Sequence, residues 1–186
     1  CRRKGWVVIN LQSIMYLPKG TEHFLADLHG EYEAFQHVLK NASGNIKRKV
    51  NEIFGNTLRE IEKRELCTLI YYPEQKLEIV KSKEEDINDW YHITIHQLVS
   101  VCRDVSSKYT RSKVRKSLPE DFSYIIQELL HERTDDANKA AYVNVIIETI
   151  ISTGRADDFI IAICNVIQRL STDQLHILGD ISDRGP

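Results

Sequence analysis

A chain of 186 residues, 42% apolar and 28% charged, can fill one domain or one domain and part of a second, with the balance of a soluble globular protein. Its net charge of −2 argues against nucleic acid or a membrane surface as the main partner, and no run approaches the roughly 18 apolar residues of a membrane span. Its four cysteines, Cys1, Cys67, Cys102 and Cys164, are widely spaced and form no C-x-x-C. Buried thiols in a reducing cytosol are expected rather than a disulfide framework or a zinc knuckle, and the location is read as cytoplasmic.

Arg2-Arg3-Lys4 before Trp6-Val7-Val8-Ile9 has the outline of a secretory leader, but Asn10 and Gln12 interrupt the apolar run and no small-x-small cleavage site follows. Opening on Cys1 and closing on Pro186, the chain reads as cut at both ends. His23 to Asp27 is a short apolar strand candidate stopped by a turn at Gly30. Tyr32, Phe35, Val38, Leu39 and Ala42 then repeat at helical spacing, and Gly44 stands where a helix C′ residue belongs. A helix starting just after His29-Gly30 would aim free backbone N–H groups at an anion held by the preceding loop.

From Ile46 to Leu170 the pattern is helical almost throughout, with Pro73 and Pro119 the internal prolines. Thr57-Leu58-Arg59-Glu60 has the form of a capping box, with Ile61, Cys67 and Ile70 continuing its stripe. Further stripes run through Ile87, Trp90, Tyr91, Ile95, Leu98, Val99 and Cys102, and through Phe122, Ile125, Ile126, Leu129 and Leu130. Two more span Ala140 to Ile151, stopped by Gly154, and Phe159 to Leu170. So many amphipathic helices can bury a core of their own. The chain returns to extended form at Gln174 to Leu178 and delivers Asp180 from that segment's C-terminal end, where sites form in open α/β sheets. The expected organisation is mostly α: residues 1–44 as an N-terminal strand, loop and helix, residues 45–172 as an inserted helical domain, and residues 173–186 as a second strand and motif.

Two short blocks carry the chemistry. Asp27-Leu28-His29-Gly30 is a D-x-H-G after one apolar segment, and Gly179 to Pro186 reads G-D-x-x-D-R-G-P after another. Carboxylate and imidazole ligands suit divalent ions such as Mn, Fe or Zn, and one carboxylate shared by two ions can hold them close enough to bridge a water. An arginine a few residues on can meet a phosphate with its planar fork of donors. The bland alternatives are a polar turn at residues 27–30 and an acidic turn in which Arg184 pairs with Asp180 or Asp183. His92 and His96, at i and i+4, could share a metal but lack a third ligand at ligand spacing, so a packed or surface pair is the commoner outcome. The basic run Lys108, Arg111, Lys113, Arg115 and Lys116 could hold a sugar phosphate or nucleotide, against the favoured alternative of a solvated helix face.

The two blocks resemble the first two signature blocks of the binuclear metallophosphoesterases, on the branch that includes the protein serine/threonine phosphatases. There the blocks lie close in sequence, whereas here Asp27 and Asp180 are 153 positions apart. The stretches Leu17 to Phe24, Gly30 to Asn41 and Ser107 to Lys116 resemble the class III fructose-1,6-bisphosphatases of bacteria. The resemblance implies an α/β metallophosphoesterase fold in the parent, with a large helical insertion between the first two strand motifs. It implies that Asp27 and His29 bind one metal and that Asp180 bridges two ions, with Mn²⁺ the expected metal. Asp183 would orient a histidine general acid and Arg184 would bind the transferred phosphate. The implied reaction is in-line hydrolysis of fructose 1,6-bisphosphate to fructose 6-phosphate and phosphate, in gluconeogenesis, without a covalent intermediate.

This sequence departs from the family pattern in one respect. The asparagine-histidine block and the later histidines of the family, which supply most of the second ion's ligands and the general acid, do not occur in these 186 residues. The chain by itself is therefore expected to be inactive, with its open strand edge covered by self-association, as in a homo-oligomer, or its final residues disordered. The rival readings are another binuclear phosphatase acting on phosphoproteins or nucleotide polyphosphates, and a non-catalytic helical interaction module.

Overall fold

The computed structural model describes residues 2–17, 20–83, 86–131 and 137–182, with residues 2–5 and 137 described for their backbone alone. It is mostly helical. A first helix, α1 (Arg2–Met15), precedes strand β1 (Glu22–Ala26), after which come α2 (Tyr32–Asn41), α3 (Asn45–Phe54), α4 (Glu60–Tyr71) and α5 (Pro73–Lys81). The long α6 (Ile87–Ser106), α7 (Arg111–Ser117), a 3-10 turn at Glu120–Phe122, α8 (Ser123–His131), α9 (Ala137–Ser152) and α10 (Ala156–Ser171) follow, and β2 (Gln174–Leu178) closes the described chain.

Helix α10 packs along α6, and both are lined with apolar side chains at helical spacing. Ile95, Leu98 and Cys102 from α6 meet Phe159, Ile160, Ile163, Cys164 and Ile167 from α10 in one fully buried core. Ile126, Leu129 and Ile147 close it from α8 and α9. Phe122 stands edge-on to Phe159 at 5.5 Å, a favoured aromatic geometry. Ala42, Ile46 and Val50 join the same core, and α2 packs on α4 and α10, so the helix that follows the D-x-H-G block rests directly on the helical block. Cys67, Cys102 and Cys164 are buried and free, and burial pushes the Cys102 thiol up to about 12.

Several local expectations shift. Helix α2 ends at Asn41, because Ala42 and Ser43 both turn left-handed (φ 50° and 49°), and Gly44, at φ 83°, caps the start of α3 instead. The capping box expected at Thr57 lies two residues later. The Arg59 amide donates to Glu62 Oε2 (2.7 Å), while the Thr57 hydroxyl donates back to the Phe54 carbonyl at the end of α3. Ile61 is consequently on the outer face of α4, 63% exposed, and Leu66 and Leu69 take the core positions beside Cys67 and Ile70.

Strands β1 and β2 pair in parallel, from Glu22 opposite Gln174 to Ala26 opposite Leu178. His23 is buried, whereas on the alternate face Phe24 stacks on His176 with ring centroids 4.6 Å apart and stays largely exposed. None of the helices among the described residues is long and apolar enough to cross a membrane.

Candidate metal and phosphate site

Parallel pairing brings Asp27 and Asp180, the candidate ligands, to the same end of the strands, one residue beyond Ala26 and two beyond Leu178. The loops are then stitched together. The amides of Leu28 and His29 donate to the Asp180 carbonyl (2.8 and 3.2 Å), the Gly30 amide donates to the Ile181 carbonyl (3.1 Å), and the Asp180 amide points at Asp27 Oδ1 (3.4 Å). Asp27 and His29 adopt positive φ (48° and 47°), which is costly for residues with a side chain and is kept here by the bonds to the second loop. Gly179 permits the approach. A Cβ at this position would lie 2.4 Å from Asp27 Oδ1 and 3.1 Å from the Asp27 nitrogen, and its φ of 133° is one that side chains rarely adopt.

The pairing therefore delivers two carboxylates and an imidazole, from Asp27, Asp180 and His29, at the carboxyl ends of neighbouring parallel strands, and all three residues are exposed. Donors of this kind fit a divalent cation, and the close approach at Gly179 keeps Asp27 against the loop that bears Asp180. Among the described residues, no three His, Cys, Asp or Glu side chains are already gathered as a ligand group. Asp183 and Arg184, expected to orient the general acid and clamp the phosphate, lie outside the described residues.

The other candidates divide differently. His92 and His96 have ring centroids 4.9 Å apart, and His96 Nε2 lies 3.0 Å from Asn144 Oδ1 on α9, as expected of a packed pair. Burial, followed by the neighbouring His92, holds the His96 pKa below its usual value. The basic run splits. Lys108 turns inward to Asp173 at 2.8 Å and Lys113, itself exposed, reaches the same carboxylate at 3.2 Å, whereas Arg111, Arg115 and Lys116 are exposed on α7. Sequence reasoning missed Asp173, since nothing local ties it to Thr21, 152 positions earlier, or to the two lysines.

Comparisons with known proteins agree on one family. A protein of Bacteroides fragilis named fructose-1,6-bisphosphatase class 3 is 76% identical over 179 residues, 96% of this chain and 27% of that relative. Namesakes from Phocaeicola vulgatus and Clostridium botulinum are 78% and 64% identical over the same shares. The chain thus spans about a quarter of the length of the curated relatives it matches. No solved structure matches it significantly. The family profile described as Firmicute fructose-1,6-bisphosphatase matches residues 5–186, which include both ligand blocks and the helices between them, and the chain belongs to that family.

Proposed function

We propose that the protein carrying this chain hydrolyses fructose 1,6-bisphosphate to fructose 6-phosphate and phosphate, and that Asp27, His29 and Asp180 hold part of a divalent metal site, with Mn²⁺ the preferred ion. The observation that supports this most is the stitched pair of loops at the carboxyl ends of β1 and β2. Divalent ions held there would supply positive charge and an activated water to a phosphate ester. The protein's own part is to carry two carboxylates and an imidazole on two loops tied together by backbone bonds, from which the side chains would close on an ion. Arg184, always charged and planar, suits the transferred phosphate, and Asp183 suits the orientation of a histidine acid. A metallophosphoesterase fold, a cytoplasmic location and a place in gluconeogenesis go with this reading.

The test is phosphate release by the enzyme made at the relatives' full length, with added Mn²⁺, offered fructose 1,6-bisphosphate, a phosphopeptide and a nucleotide polyphosphate in parallel. Turnover of the sugar bisphosphate, abolished by Asp180→Asn, is the expected result, and preference for either other substrate would replace the proposed activity. Arg184→Lys keeps the charge but loses the fork, so turnover should fall strongly with metal content near normal. The 186-residue chain alone should release no phosphate.

A further inference from the structure

At the opposite end of the strand pair from the metal loops lies a clasp built on Asp173, the residue just before β2. Its carboxylate accepts from the Thr21 amide (2.7 Å) and pairs with Lys108 (2.8 Å) and Lys113 (3.2 Å). In return, the Asp173 and Gln174 amides donate to the Thr21 carbonyl (3.0 and 3.3 Å). The Asp173 and Lys108 side chains are only 11% and 13% exposed, so this pair is shielded as surface ion pairs are not. Tyr109 adds to the enclosure. Its hydroxyl donates to the Leu170 carbonyl at the end of α10, and Lys113 lies over its ring at 4.1 Å. Gly20 is pressed against Asp173 so closely that a Cβ there would lie 2.8 Å from the carboxyl carbon.

This cluster joins three parts of the chain that are remote in sequence: the entry to β1, the α6–α7 connection, and the link from α10 to β2. Thr21 and Asp173 sit one residue before Glu22 and Gln174, the first registered pair of the sheet. Fixing them fixes every later pair, down to Ala26 and Leu178 and the loops beyond. A slip of one residue would turn each side chain to the other face and separate Asp27 from Asp180. Among the described residues the pair has no third strand beside it, so its register rests on this clasp at one end and the stitched loops at the other.

Building on the proposed metal site, we propose that Asp173 is a positioning residue: with Lys108 and Thr21 it locks the register of β1 on β2 against the helical block and so sets Asp27 and Asp180 at a common site. It touches neither metal nor substrate. Its effect travels along the paired backbone to the far end of the strands.

The experiment uses the enzyme at the relatives' full length, with Asp173→Asn and, as a milder variant, Gly20→Ala. Hydrogen exchange is followed in the peptide containing Leu28, His29 and Gly30, whose amides bond to the second loop, and in peptides from α6 and α10. The expected result is at least tenfold faster exchange at residues 28–30 in both variants, with the α6 and α10 cores unchanged. Mn²⁺ affinity should weaken about tenfold and kcat should fall while KM for the sugar bisphosphate stays within about twofold, the pattern of a misplaced rather than an unbound substrate. Unchanged exchange at residues 28–30 in both variants overturns the clasp, as does altered exchange with Mn²⁺ affinity and kcat both intact. Faster exchange in the variants together with an Asp180→Asn enzyme that binds Mn²⁺ normally would leave the register lock standing and sink the metal-site reading instead.

Discussion

The helical block and the strand pair are built on opposite principles. In the block, fully buried side chains from α3, α4, α6, α8, α9 and α10 share one core, and each is backed by many neighbours. In the strand pair, two five-residue strands leave Phe24 62% and Leu178 59% exposed, and their geometry depends on a few bonds between residues more than 150 positions apart. The block can supply folding free energy redundantly, whereas the site's placement rests on a few residues, Asp173, Gly179 and Asp180. Stability and function should therefore respond to different mutations.

The largest effect on stability is expected in the block. Phe159→Ala removes a ring with no exposed surface and should cost about 3–5 kcal/mol in denaturant unfolding. A loss under about 1 kcal/mol would mean that the core relaxes into the cavity and the comparison fails. Gly179→Ala forces a Cβ against Asp27 at a left-handed φ, at a local cost of about 1–3 kcal/mol. Helix content by circular dichroism should hold while divalent-ion affinity drops; an unchanged affinity would show that the close approach is dispensable.

The clasp sharpens the comparison through pH. Burial acts to raise the Asp173 pKa, but donation from Lys108 and the Thr21 amide, with the polar Tyr109 hydroxyl nearby, outweighs it and lowers the value from 3.8 to about 2. A carboxylate depressed in the folded state stabilises it fully above the unfolded value and loses that contribution as pH falls towards the folded one. The stability difference between the native sequence and Asp173→Asn should thus be constant above about pH 5 and shrink between about pH 4 and pH 2. A difference that persists at pH 2 would assign the effect to packing instead of charge. At the small end, Ile61→Ala on the exposed face of α4 should change stability by no more than about 0.5 kcal/mol in the same unfolding assay.

The block was the more legible region, because helical periodicity is a local signal. The stripes of α6, α8, α9 and α10 include many of the buried residues, although Ile87, Trp90, Phe122, Ile125 and Leu130 are only partly buried and Val101 and Val105 join the core unannounced. Boundaries were less legible. Glu62 caps the Arg59 amide and moves the start of α4 past Thr57, and the chain turns left-handed at Ala42 before reaching the glycine expected to end α2. The strands and the two candidate motifs were visible as short apolar runs ending in polar residues, and their convergence followed from strand ends being where sites form in open α/β sheets. The clasp was not legible. Lys108 and Lys113 look like a solvated basic face until the fold brings Asp173 beneath them, and no local pattern marks a carboxylate whose partners lie 65, 60 and 152 positions away.

The central claim is that the two carboxylates delivered by β1 and β2 serve one site. The most direct measurement is a Mn²⁺ titration by calorimetry on the full-length enzyme and on Asp27→Asn, Asp180→Asn and the double variant. If the carboxylates share an ion, each single substitution weakens binding sharply and the double is far less damaging than the sum of the two, as expected for coupled neighbours. Losses that simply add, or a single substitution that leaves the Mn²⁺ affinity unchanged, would place Asp27 and Asp180 in separate sites and contradict the account.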